Sequence, residues 1–120
     1  MPFRLLVKDK DQAVAWYRGL LGFEVVEEWG PAFAILSKGA DVLWISGPQT
    51  SAAQPMPDGS KPVPGGWNRI VVEVENLDTA IESLKAAGTV FRNEPITGPG
   101  GTQVLVEDPS GNPVEVFQAR

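Results

Sequence analysis

The chain contains no histidine and no cysteine among its 120 residues. Without cysteine there is no disulfide framework, no thiolate nucleophile and no thiolate metal ligand. Without histidine, a divalent metal has only carboxylates left, and these suit a hard, oxygen-seeking ion when several converge. Long hydrophobic runs are missing too. None approaches the roughly 20 residues that a membrane-spanning helix needs, so no membrane partner is expected. Positive charge is scarce, with 10 Lys and Arg against 15 Asp and Glu and a net charge of −5. That balance argues against nucleic acid, because phosphate binding needs a clustered basic surface. It mildly favours cationic ligands through long-range attraction. The opening stretch, Met1 to Lys10, lacks the basic segment, apolar run and cleavage site of a signal peptide, which makes the cytoplasm the expected location.

What the chain does have is an ordinary globular composition, 42% hydrophobic and 21% charged, enough for one domain over residues 1–120 with a real core. Phe3 to Val7 reads as a strand, and Asp11 to Leu21 carries Val14, Tyr17, Leu20 and Leu21 at helical spacing, with Gly22 as its stop. Strands are predicted over Phe23 to Trp29, Ala32 to Ser37 and Val42 to Ser46, separated by turn residues. Residues 48–66 are rich in Gly, Pro, Ser, Ala and Gln without apolar periodicity, and read as a mobile linker.

The same order then returns. Trp67 to Val74 reads as a strand and Leu77 to Ala87 as a helix with Asn76 as N-cap and Gly88 as stop; Thr89 to Asn93, Thr102 to Glu107 and Pro113 to Gln118 read as strands. A constant offset pairs Asp11 with Asp78, Ala13 with Ala80, Val14 with Ile81 and Tyr17 with Leu84. The repeat points to an internal duplication and an α+β fold of two tandem βαβββ modules, residues 1–47 and 67–120.

The stretch Val7 to Phe23, with an acidic residue before a helix that carries Trp16-Tyr17 and ends in Leu21-Gly22-Phe23, resembles the opening of the vicinal-oxygen-chelate superfamily, the glyoxalase, bleomycin resistance protein and dioxygenase group. Glu107-Asp108-Pro109-Ser110-Gly111-Asn112-Pro113-Val114-Glu115 resembles its closing turn and last strand. The resemblance covers nearly the whole chain. It implies a curved eight-stranded sheet cup around a small-molecule cleft, with helices on the outside, and commonly a homodimer. Family enzymes hold one divalent metal with His and Glu from four strand positions. Carried over by motif, those positions are Pro2, Trp44, Arg69 and Glu115. Only Glu115 is a metal ligand by chemistry, and a single carboxylate falls short of the three protein ligands of a catalytic centre. No metal and no cofactor is therefore expected.

Strand alternation assigns the replacement chemistry. Phe3, Leu5 and Val7 read as facing a helix, which leaves Arg4 and Leu6 on the cup side. Ile70, Val72 and Val74 read the same way, which leaves Trp67, Arg69, Val71 and Glu73. Trp44 and Glu115 join them through the positions that the resemblance implies, so the candidate ligand-binding set is Arg4, Trp44, Trp67, Arg69, Glu73 and Glu115. Trp44 and Trp67 have a second reading as core residues. Arg69 either pairs with Glu115, plugging the old metal position, or holds a ligand anion. Gly98-Pro99-Gly100-Gly101 reads as a loop over the cleft mouth or a plain turn, not a phosphate loop, because a strand follows it.

The function expected is a metal-free protein that sequesters an aromatic or polycyclic compound, similar to the family's antibiotic-resistance members. The alternatives are a metal-independent lyase or isomerase using Glu73, Glu107 or Glu115 as acid or base, and the inherited metal enzyme, glyoxalase-like or dioxygenase-like.

Overall fold

The structure, a computed structural model, describes residues 1–120. The chain divides into two compact units, Met1–Pro64 and Gly65–Arg120.

In the first unit, β1 (Pro2–Leu6) leads into α1 (Lys10–Leu21), followed by β2 (Glu24–Trp29), β3 (Phe33–Lys38) and β4 (Asp41–Ser46). The sheet order is β1-β4-β3-β2, with β1 parallel to β4 and the other pairs antiparallel. Helix α1 starts where the Asp9 carboxylate accepts the Gln12 N–H at 2.9 Å, a cap typically worth about 1 kcal/mol. It ends at Gly22, whose φ of 77° lies in the left-handed region. Between these ends Ala13, Val14, Tyr17 and Leu21 are buried at helical spacing. They pack on the sheet face carrying Leu5, Ala34, Leu36, Leu43 and Ile45, all buried. Tyr17 is fully buried and meets Phe23 edge to face at 5.8 Å.

The second unit repeats the plan with β5 (Ile70–Glu73), α2 (Leu77–Ala86), β6 (Val90–Phe91), β7 (Ile96–Gly98), β8 (Gly101–Glu107) and β9 (Pro113–Ala119). Its order is β5-β9-β8-β6, with β7 also on β8 and β5 parallel to β9. The duplication extends to register. Arg4 lies opposite Trp44 in the first sheet, and Val71, its equivalent under the offset that pairs Asp11 with Asp78, lies opposite Glu115 in the second. The expected N-cap is in place, with the Asn76 side chain accepting the Thr79 N–H at 3.0 Å.

Two details depart from the sequence expectation. The strand expected over Thr89 to Asn93 is shortened to Val90–Phe91, and a further strand that was not expected, Ile96–Gly98, gives nine strands in two mixed sheets instead of eight. Arg92 still donates its N–H to Leu105 O, but the Asn93 side chain then takes the Leu105 N–H at 2.8 Å. That side chain replaces a backbone carbonyl in the ladder, and Pro95 has no N–H to continue it. Pairing resumes at Ile96, opposite Gln103. Residues 98–101 then form the β7–β8 hairpin connection.

The strand expected over Trp67 to Val74 is also shorter, because Gly65 and Gly66 adopt positive φ and the ladder starts only at Ile70. Trp67 therefore precedes the strand. No helix is long and apolar enough to cross a membrane.

Candidate functional site

The pleat of the first sheet sends Leu5, Leu43 and Ile45 toward α1 and their neighbours Arg4, Trp44 and Ser46 to the opposite face. Ile35 lies opposite Trp44 on β3, and Phe33 lies opposite Ser46. Arg4, Phe33, Ile35 and Trp44 floor a cleft of about 430 Å³, within the usual size range of small-molecule sites. Trp29, at the end of the edge strand β2, stands over the floor with its ring centroid 5.5 Å from that of Phe33, and Phe33 meets Trp44 edge to face at 6.3 Å. The Trp29 indole N–H is held by Glu27 Oε1 at 3.0 Å, which restricts that ring.

The remaining wall comes from Ala32, Thr50 and Ser51. The segment expected as a linker contributes it through a 3-10 turn at Ser51–Ala53. Gly47 allows this return: its N–H donates to Ala32 O at 2.8 Å, and a Cβ there would press on the same carbonyl at 3.0 Å. Thr50 then ties the turn by donating its hydroxyl to Gly47 O at 2.8 Å. The Arg4 guanidinium lies over the Trp44 ring, 4.9 Å from its centroid, and donates to Ser46 Oγ at 3.2 Å.

The structure thus brings Arg4 and Trp44 together in the first unit, Trp44 half-buried beneath the guanidinium. In the second unit it brings Arg69 and Glu115 together. Arg69 Nε and Nη2 both donate to Glu115 Oε1, at 3.0 and 2.9 Å, with Glu115 the better shielded of the two side chains. This is the direct pair anticipated as one of two possibilities. Trp67 is 70% exposed, which overturns its reading as a core residue. Its ring lies 4.7 Å from the Arg92 guanidinium, and Arg92 also binds Glu107, Gly66 O and Gly111 O. Glu73 ends β5 exposed, one residue pair along the β5–β9 ladder from Val72 and away from Arg69.

Sequence reasoning missed Trp29, Ala32, Phe33, Ile35, Thr50 and Ser51. The parity of β3 was a usable signal for Phe33 and Ile35, since Ala34 and Leu36 are the apolar residues facing the helix. Nothing local marks Thr50 and Ser51, which reach the cleft only because the chain folds back at Gly47.

The residues present do not fit a divalent metal. Pro2 and Trp44 offer no ligand atom, Arg69 is a cation, and the Glu115 oxygen that faces it is taken up by two guanidinium N–H groups. No group of three or more His, Cys, Asp or Glu side chains converges anywhere.

A two-unit βαβββ repeat with an aromatic cleft on the face opposite a helix defines a class of small-molecule-handling folds. The chain belongs to the glyoxalase/bleomycin resistance protein/dioxygenase superfamily, whose family model matches residues 2–116. Among solved structures it is similar to lactoylglutathione lyase from Agrobacterium tumefaciens, with 24% identity and a TM-score of 0.76 over 98% of this chain and 91% of that one. It is similar to TnmS3, an antibiotic binding protein from Streptomyces sp. CB03234, with 20% identity and a TM-score of 0.73 over 99% and 93%. It is also similar to the fosfomycin resistance protein FosX from Listeria monocytogenes, with 16% identity and a TM-score of 0.75 over 100% and 92%. At these identities the likeness is one of fold, and folds of this kind host several chemistries. Comparison with curated protein sequences gives no match.

Proposed function

We propose that the protein is a metal-free binding protein that sequesters an aromatic or polycyclic small molecule, such as an antibiotic, in the cleft of its first unit. The observation that carries this reading is the cleft itself. Trp29, Phe33 and Trp44 supply apolar walls of about the right volume, and few polar groups interrupt them. The substitution of non-ligands at three of the four positions that family enzymes use for metal supports the same reading. An antibiotic binding protein among the structures of like fold is consistent with it.

The metal-independent enzyme has less support. Glu107 and Glu115 are each held by an arginine, Arg92 and Arg69, and Glu73 is exposed. None of these carboxylates lines the aromatic cleft. The proposal extends to a homodimer, as the family resemblance implies, working in the cytoplasm, as the absence of signal-peptide features in Met1 to Lys10 suggests.

Native mass spectrometry of protein purified without added metal tests the reading directly. An organic adduct on a dimer supports it, and a stoichiometric metal ion overturns it. Trp44→Ala then locates the ligand. Losing one stacked aromatic wall is worth roughly 1.5–3 kcal/mol of burial, or about 10- to 150-fold in affinity. Unchanged affinity with an intact fold removes the cleft from the account.

A further inference from the structure

Arg4 is the one charged side chain that lines the cleft of the first unit; the Glu27 carboxylate is not among the lining residues and is engaged by the Trp29 indole N–H at 3.0 Å. Arg69 and Arg92 are each neutralised by a glutamate. Arg4, which lines the cleft, has no carboxylate partner; its contacts are the Ser46 hydroxyl at 3.2 Å and the Trp44 ring at 4.9 Å. A guanidinium carries five N–H donors in a fixed fork, so most of this one's hydrogen-bonding capacity is left to solvent or a ligand. The cation already lies over Trp44, and it would repel a second cation brought to the same aromatic surface. The net charge of −5 favours cations at long range, but that field is screened beyond about 8 Å at physiological salt. Contact with Arg4 is local and escapes most of the screening.

We infer that the cleft selects acidic aromatic ligands: a planar ring system packs against Trp29, Phe33 and Trp44, and a carboxylate or phenolate on that ring accepts from the Arg4 guanidinium. Arg4 is thus the residue that sets ligand charge, while the aromatic residues set ligand shape. The inference rests on the binding function proposed above and narrows it to one chemical class.

Three probes of nearly equal ring size test it at pH 7 by calorimetry: 2-naphthoate, the neutral 2-naphthalenemethanol and the cationic 2-naphthylmethylammonium. The wild type is expected to bind naphthoate about 10-fold more tightly than the alcohol, the scale of one charge-assisted bidentate contact, and the ammonium most weakly. In Arg4→Gln the naphthoate-to-alcohol ratio falls toward one, and in Arg4→Lys, which keeps the charge but not the fork, part of it remains. An unchanged thermal unfolding transition in both variants shows that the fold is intact. Trp44→Ala is expected to weaken all three probes. If it does, but the wild type shows no preference for naphthoate or Arg4→Gln keeps that preference, the charge inference is overturned while the aromatic cleft stands. If no probe binds, or if Trp44→Ala changes nothing, the cleft reading falls and takes the inference with it.

Discussion

Replacing Asp108 with alanine is expected to destabilise the second unit by about 3 kcal/mol, and the figure follows from what one carboxylate holds. Asp108 is 4% exposed in the connection between β8 and β9. Its Oδ1 accepts the N–H groups of Ser110 and Asn112 at 2.8 and 2.9 Å, and its Oδ2 accepts the Asn112 side-chain amide at 3.0 Å. A hydrogen bond to a charged acceptor contributes about 1.5–3 kcal/mol net, and a buried donor left without a partner costs about 1–3. Three such bonds do not add, because water enters the space the carboxylate leaves and satisfies part of the turn. Two backbone bonds, Asp108 N–H to Asn112 O and Gly111 N–H to Asp108 O, survive the truncation. The net is therefore closer to one strong bond and one orphaned donor than to three bonds. For a chain of this size that corresponds to a fall in Tm of about 12 °C, at roughly 4 °C per kcal/mol. Urea denaturation followed by circular dichroism measures it. Asp108→Asn keeps one acceptor oxygen but sets an amide against the Asn112 amide, and is expected to lose about half as much. A loss below about 1 kcal/mol for Asp108→Ala would refute the view that the carboxylate organises this turn.

Other perturbations probe the remaining supports. Gly101 has a φ of 154°, and a Cβ there would overlap the Gln118 carbonyl, so Gly101→Ala is expected to part β8 from β9 and cost more than about 2 kcal/mol; an unchanged thermal transition contradicts that register. Arg69→Met strands the Glu115 carboxylate, 12% exposed, and is expected to cost about 2 kcal/mol, with Arg69→Met/Glu115→Met recovering most of it; a double-mutant cycle in urea decides, and zero coupling sinks the pairing. Lys10 is only 4% exposed, and its hydrogen bond to the Asp11 carboxylate at 2.7 Å raises its pKa above the ordinary 10.5, with Glu28 at 3.7 Å adding to the effect. A raised folded-state pKa contributes stability that is complete below the unfolded value and lost as pH rises through the folded one. Thermal transitions measured above pH 10.5 are expected to fall in the wild type and to fall less in Lys10→Met, and identical slopes would contradict the assignment.

Much of the site was legible because strand parity is a local property. Once Phe3 to Val7 is read as a strand, period-two alternation puts Arg4 on the face away from the helix, the family resemblance places Trp44 at one of the metal positions of that cup, and the structure brings these two together. The Arg69–Glu115 pair was legible as one of two outcomes because the family resemblance places both at metal positions, where a guanidinium needs a carboxylate or a ligand anion beside it. The core reading of Trp67 failed because the strand starts only at Ile70 and the indole is left exposed. Gly65 and Gly66 had already broken the extended run, and Arg92, distant in sequence, gave the indole a different partner.

The sequence by itself determined the element order, the duplication, the helix caps at Asn76 and Gly22, the family and the chemical misfit of the metal positions. All of these depend on residue type and short-range spacing, which the unfolded chain already carries. Tertiary structure alone decided that Asn93 interrupts a strand, that a Gly- and Pro-rich segment lays Thr50 and Ser51 along the cleft, and that Arg4, unlike Arg69 and Arg92, has no carboxylate beside it. Each of these turns on which groups distant along the chain come within hydrogen-bonding reach, and that is settled only when the backbone closes its loops and the sheets take their register.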